Sequence, residues 1–212
     1  MNGPTLSRPK TQRLLLQALI LCVVAQLAWV VLPITPSLLT GDSDRRSSER
    51  LLFARDADYM APFVPTPQDV VDRMLALAEL RHGDLLYDLG SGDGRIVIAA
   101  ANRYGIKAVG FEINPALVKE SRANIVSAGL AHLAEIREED IRTVDFSPAT
   151  VLTMYLYPGA NLRLRAAILR QLKPGSRVVS HNFGMGDWKP DRVEQVTDET
   201  GLSRAIYLWR IR

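Results

Sequence analysis

Eight residues, Asp88-Leu89-Gly90-Ser91-Gly92-Asp93-Gly94-Arg95, constrain this 212-residue chain more than any other stretch. They follow the apolar run Leu85-Leu86-Tyr87 and precede an apolar-rich helical pattern over residues 96–101. A glycine-rich turn between a strand and a helix lets the backbone approach a ligand closely. The helix N-terminus then offers unpaired N–H groups to that ligand. Such a turn suits a nucleotide-like cofactor, but a loop with no ligand would read the same way, so its surroundings must decide.

Glycine spacing separates two cofactor classes. A dinucleotide turn wants G-x-G-x-x-G, the third glycine allowing tight helix–strand packing. Here the glycines fall at 90, 92 and 94, and Arg95 stands where the third should be. The nicotinamide fingerprint fails by one residue. The pattern D-L-G-S-G-D-G-R instead resembles motif I of class I S-adenosylmethionine-dependent methyltransferases. That resemblance implies cofactor contacts from Asp88, Gly90, Ser91, Gly92, Asp93 and Gly94.

A second strand over residues 108–112 ends in Glu112, 24 residues after Asp88. A doubly wound sheet delivers a carboxylate to a ribose diol at about this offset, and a carboxylate can accept from two hydroxyls. A solvated strand-end acid is the plainer reading. Asn114-Pro115 reads as N-cap and first residue of a helix running to about residue 127, stopped by Gly129. Residues 133–137 form a third strand. In class I methyltransferases the following loop offers an acid to the adenine amino group and an apolar neighbour to its face; Asp140 and Ile141 match that offset, although three acids in a row also suit an exposed turn.

A fourth strand over 150–155, a helix over 160–172, a fifth strand over 176–180 and a closing hairpin from 193–196 and 205–211 complete the pattern. The expected fold is α/β: a Rossmann-like, mostly parallel seven-stranded sheet with helices on both faces. Ligands in such sheets sit beyond the carboxyl ends of the strands. Upstream, Thr66 reads as an N-cap, Pro67 as first helical residue and Asp69 as part of the cap, opening a helix to about Leu80. The segment before it, P-F-V-P-T-P from Pro62, is either a helix start or a lid over the cofactor, which makes Thr66 a candidate contact.

Together P-F-V-P-T-P, D-L-G-S-G-D-G-R, N-L-R-L-R and L-K-P-G-S-R-V-V-S-H-N-F-G-M-G-D-W-K-P-D resemble one subgroup of class I methyltransferases. It is similar to the family of mitochondrial lysine methyltransferases acting on the adenine nucleotide translocase and the c-ring protein of ATP synthase, with their bacterial relatives. The resemblance covers about residues 60–212. It implies S-adenosylmethionine as cofactor and a protein lysine as acceptor. Such chemistry needs a neutral amine, whereas free lysine, with a pKa near 10.4, is protonated at pH 7. Desolvation in an apolar, aromatic pocket lowers that pKa, and aromatic faces attract the incoming cation. Tyr155 and Tyr157, past the fourth strand, are the catalytic candidates; each could equally pack on the sheet. His181 could be a base or a packed ring, and Trp188 an acceptor wall or a loop anchor. A small-molecule or lipid acceptor, or a non-catalytic cofactor-binding module, are the competing functions.

Other chemistries drop out. The fourth strand lacks the N/D-P-P-Y/F of adenine and glutamine amino-methyltransferases. Cys22 is the single cysteine and lies in an apolar N-terminal run, which removes a cysteine nucleophile, a disulfide framework and a thiolate metal site. Histidines 82, 132 and 181 lack ligand spacing, so no metal is expected. Net charge is +3 with dispersed basic residues, which does not favour nucleic acid.

Residues 14–32 are mostly apolar, broken by Gln17 and Gln26, and preceded by Arg8, Lys10 and Arg13. That length just spans a bilayer core of about 30 Å. A single-pass anchor is the favoured reading, with a cleaved signal peptide as rival. Arginines 45, 46, 50 and 55 follow the run, so charge leaves the side of the membrane open. The expected organisation is a basic tail (1–13), an anchor (14–32), a linker (33–60) and a methyltransferase domain (61–212), acting on a membrane or membrane-adjacent protein.

Overall fold

The computed structural model describes residues 63–212. The expected tail, anchor and linker lie outside the described residues. Among the described residues no helix is long and apolar enough to cross a membrane.

Among the described residues seven strands and four α-helices follow in the order α1 (Gln68–Leu77), β1 (Leu85–Leu89), α2 (Arg95–Tyr104), β2 (Lys107–Glu112), α3 (Pro115–Ser127), β3 (Ala134–Glu138), β4 (Val151–Met154), α4 (Pro158–Gln171), β5 (Arg177–His181), β6 (Arg192–Thr197) and β7 (Ser203–Arg210). They form one sheet in the order β3-β2-β1-β4-β5-β7-β6. The first five strands run parallel, while β7 is antiparallel to β5 and to β6. This is the expected mostly parallel sheet with a terminal hairpin.

The central strands are apolar along their length because both faces are covered. Leu86, Ala108, Ile136, Val151 and Val179 pack on one face with α1, α2 and α3. Tyr87, Leu89, Phe111, Leu152, Met154 and Trp209 pack on the other with Leu164 and Ile168 of α4. No helix joins β3 to β4; instead Ile141, Val144, Phe146 and Ala149 of that connection fill the second face.

Strand ends differ from expectation by one or two residues, and two helix boundaries differ for reasons the structure shows. The first helix ends at Leu77 rather than Leu80, because Glu79 takes a left-handed conformation (φ 50°). The buried guanidinium of Arg177 donates to the carbonyls of Ala78 (3.0 Å) and Glu79 (2.8 Å), satisfying acceptors that a helix end leaves open. The fourth helix starts at Pro158, two residues early, with Pro158 at its first position. Asn114 does cap α3, its side chain accepting from Ala116 N at 3.0 Å.

Strand order reverses between β2-β1 and β4-β5. The crevice at the carboxyl ends of β1 and β4 is therefore the topological switch point, where open α/β sheets bind ligands.

Candidate active site

A cleft opens at that switch point. Its walls include Phe63, Thr66, Asp88, Gly90, Ser91, Asp93, Glu112, Asp140, Ile141 and Tyr155. Asp88 sits at the base. It is buried, and across the parallel register Thr153 donates its hydroxyl to Asp88 Oδ1 at 2.7 Å. Burial, reinforced by nearby Glu112 and Asp93, pushes the Asp88 carboxyl up to about 7 despite that hydrogen bond.

Glu112 ends β2 beside it. Its Oε2 accepts from Gly92 N at 2.9 Å, and its Oε1 accepts from both Ile113 N and Asn114 N at 2.9 Å. A carboxylate has about four acceptor sites. Three are used, so Glu112 keeps one site, on Oε2, where the sequence suggested a pair of hydroxyl bonds. The same contacts tie the glycine turn to the start of α3.

The glycines divide the labour. A β-carbon at Gly90 (φ +74°) would lie 2.9 Å from Leu156 Cδ2, and one at Gly92 (φ +54°) would overlap the Phe63 ring. Phe63 thus lies directly on the turn. Gly94 faces away from the cleft and packs against Ser121 of α3 while capping α2. The Ser91 hydroxyl, on the cleft wall, is buried with no hydrogen-bond partner among the described residues.

Residues 63–67 cross the cleft as a strap. Arg95, notable in the sequence only for not being glycine, grips Asp93 through Nε and Nη2 (3.0 and 2.6 Å) and donates Nη1 to the Thr66 carbonyl at 2.7 Å. The Thr66 hydroxyl does not cap α1; it lies 3.2 Å from His181 Nδ1, and Asp69 accepts only from its neighbour Val70 N. The expected capping arrangement gives way to a tertiary contact that spans 115 residues. His181 is fully buried, packs at a 35° tilt against Tyr155 with ring centroids 3.9 Å apart, and has its pKa driven down to about 4, chiefly by desolvation. It is neutral at pH 7 and too weak a base to take a proton from an alkylammonium. It is a packed ring.

Asp140 and Ile141 reach the cleft's lip. The Asp140 carboxylate already holds Arg142 through both oxygens, which lowers its pKa, while Ile141 is buried and apolar. Tyr155 lines the cleft; Tyr157 lies outside it, about half exposed (52%). Trp188 anchors a loop: its carbonyl accepts from Trp209 Nε1 at 2.9 Å and the two rings pack at 5.5 Å. The N-L-R-L-R motif holds that loop as well. Asn161 and Arg165, four residues apart on one face of α4, donate to the carbonyls of Phe183 (3.1 Å) and Met185 (2.9 Å).

The ANTKMT methyltransferase domain family matches residues 88–192. A protein-lysine N-methyltransferase of Saccharolobus islandicus (strain REY15A) is 44% identical over 151 residues, covering 71% of this chain and 93% of that protein. The chain belongs to this methyltransferase family. The mouse adenine nucleotide translocase lysine N-methyltransferase (Mus musculus) is 34% identical over 130 residues, covering 61% of this chain and 56% of its own length. A Salinibacter ruber structure named as an RNA methyltransferase, in complex with S-adenosylhomocysteine, superposes with a TM-score of 0.65 at 53% identity, over 70% of this chain and 94% of that one.

The enzyme is an S-adenosylmethionine-dependent methyltransferase, and its cleft fits that cofactor. The amino-acid end of the cofactor carries an ammonium and a sulfonium against one carboxylate. Among the cleft's lining acids, Asp93 is paired with Arg95 and Asp140 with Arg142, which leaves Asp88, Glu112 and Glu139 without a paired cation. Among the described residues no cluster of His, Cys, Asp or Glu could hold a metal ion.

Proposed function

We propose that the chain is a protein-lysine N-methyltransferase whose acceptor is a membrane or membrane-adjacent protein. The observation that carries this is an acidic cofactor cleft that opens directly on an aromatic wall, Tyr155 backed by the neutral His181. S-adenosylmethionine, when bound, supplies an electrophilic methyl group on sulfur. Asp88 would meet its ammonium, Glu112 Oε2 a ribose hydroxyl, and Ile141 with Asp140 the adenine end. The backbone of Gly90, Ser91 and Gly92 would follow its amino-acid tail, with Asp93 and Gly94 shaping the turn and Thr66 closing over it from the strap.

The chain's own residues do the rest by positioning and desolvation. An apolar, aromatic surround favours the neutral amine over the ammonium. The hydroxyl of Tyr155, which lines the cleft, can accept a hydrogen bond from that amine and hold its lone pair towards the methyl group, while Tyr157, outside the cleft, would meet the acceptor as it enters. The strap excludes water from the donor side. Arg95 fastens the strap to the turn, so Arg95→Ala is expected to weaken S-adenosylhomocysteine binding about tenfold, the value of one charge-assisted hydrogen bond. Calorimetric titration checks this; unchanged affinity would show that the strap does not close the site.

The S. islandicus and mouse relatives are both named lysine methyltransferases, the latter for the adenine nucleotide translocase. The apolar run at 14–32, read as a single-pass anchor, would hold the enzyme at a membrane beside such a target. A second reading, RNA as acceptor, comes from the name of the S. ruber structure. Against it, Phe63, Val64 and Tyr157 expose apolar or aromatic surface near the cleft, and the basic residues are dispersed along the sequence rather than gathered in a run that would meet phosphates. The deciding experiment incubates the full chain with methyl-labelled cofactor and three acceptor pools: membrane proteins, soluble proteins and RNA. Label in acid-stable methyl-lysine of membrane proteins is expected; label in RNA alone would replace this reading with the second.

A further inference from the structure

The turn after β5 carries a ring that the sequence did not single out. Asn182 is one of two non-glycine residues with positive φ among the described residues (φ 60°), and Phe183 N donates back to His181 O at 2.8 Å. A three-residue turn of this hand is rare and strained. It persists because its surroundings over-determine it. Asn182 N donates to Ala205 O (2.7 Å) and Asn182 Oδ1 accepts from Ala205 N (3.1 Å), pinning the turn to β7. The Phe183 carbonyl accepts from Ser180 Oγ (2.7 Å) and Asn161 Nδ2 (3.1 Å), both from fully buried side chains. Strain held in this way beside a ligand cleft points to a function for what the turn presents.

What it presents is the Phe183 ring, half-buried, 6.2 Å from Tyr155 at 18° and 6.2 Å from Tyr157 at 69°. Tyr155 lines the cofactor cleft and Tyr157 is half exposed. The three rings therefore run from the cleft wall to the surface. Aromatic faces attract ammonium groups within about 6 Å of a ring centroid, most strongly where water is excluded.

We propose that Phe183 is a specificity-determining residue that, with Tyr155 and Tyr157, lines the acceptor's path and selects a cationic alkylamine over a neutral chain. This rests on the lysine-acceptor reading above. Phe183 contributes no proton transfer; it is held in place by Asn161, Ser180 and Asn182.

The test uses the full chain and needs no identified acceptor. Affinity is measured for S-adenosylhomocysteine and for two analogues in which the sulfur position carries an alkyl arm ending in ammonium or in hydroxyl. The wild type is expected to prefer the ammonium arm about tenfold. Phe183→Ala and Phe183→Leu should lose that preference, Phe183→Tyr should keep it, and all should bind S-adenosylhomocysteine like the wild type. If Phe183→Ala does not fold, the leucine variant, which keeps the bulk without the π face, decides. A preference that survives in either variant overturns the role of Phe183 while leaving the lysine reading intact. A wild type indifferent to the arm's charge overturns the lysine reading and this proposal together.

Discussion

Glu112→Ala is expected to lose S-adenosylhomocysteine binding by about 100-fold or more. Two effects add. The direct one is a charge-assisted hydrogen bond from a ribose hydroxyl to Oε2, worth about 1.5–3 kcal/mol. The indirect one is local: Gly92 N, Ile113 N and Asn114 N all lose their acceptor. The turn that must follow the cofactor then keeps its backbone bonds from Gly90 N and Ser91 N to Phe111 O but loses the one at Gly92, in a buried setting where an orphaned donor costs about 1–3 kcal/mol. Glu112→Gln separates the two. Its amide oxygen can still accept from Ile113 and Asn114, but its NH2 faces the Gly92 N–H, so an intermediate loss is expected. Calorimetry with parallel thermal unfolding checks the set. A folded alanine variant that binds within threefold of the wild type would remove Glu112 from the site.

The readable parts of this molecule are those where local backbone chemistry and ligand geometry make the same demand. The glycine turn is one: Gly90 and Gly92 hold conformations that other residues resist, at points where Leu156 and Phe63 leave no room for a β-carbon. The placing of Glu112 at the end of β2 is another, because strand length sets it, as is the Asn114-Pro115 start of α3. Thr66 misleads because Thr-Pro-x-Asp is a sound local cap, and only the folded chain brings His181 within reach of its hydroxyl. The same holds for Arg95, whose role depends on a strap 29 residues upstream. Trp188 and Phe183 illustrate the limit best. Both lie in one aromatic-bearing loop, and the more conspicuous residue turns out to be the anchor. What turns Phe183 towards Tyr155 is a γ-turn secured by Asn161 and Ala205, 22 residues before and after it. Arg165 and Asn161 did carry a signal, two polar residues at i and i+4 on α4, but that spacing also suits a solvated face.

Asp88→Asn is expected to make the ligand-free enzyme more stable and the cofactor weaker to bind. The buried Asp88 carboxyl is pushed up to about 7 from an ordinary 3.8, chiefly by desolvation. Below pH 4 the group is protonated in both folded and unfolded chains and its contribution is complete. Between about pH 4 and 7 the unfolded chain releases the proton and the native state keeps it, so this contribution is lost as pH rises through the folded value. At pH 8 the ligand-free enzyme carries a buried charge that costs on the order of 4 kcal/mol. Asparagine removes the charge and still accepts from Thr153. Recovery of about 2 kcal/mol corresponds to roughly 4–8 °C in Tm for a domain of this size. The cofactor's ammonium supplies the missing counter-charge, which gives the native acid its reason to be there. Wild-type affinity for S-adenosylhomocysteine should therefore rise between about pH 6 and 8 as Asp88 ionises, by up to tenfold per pH unit. The asparagine variant should bind at least tenfold more weakly at pH 8, with a flat profile across that range. Thermal unfolding and titration at pH 6, 7 and 8 check both halves. A variant that is no more stable at pH 8 and binds as tightly as the wild type would show that Asp88 neither bears a buried charge nor meets the ligand.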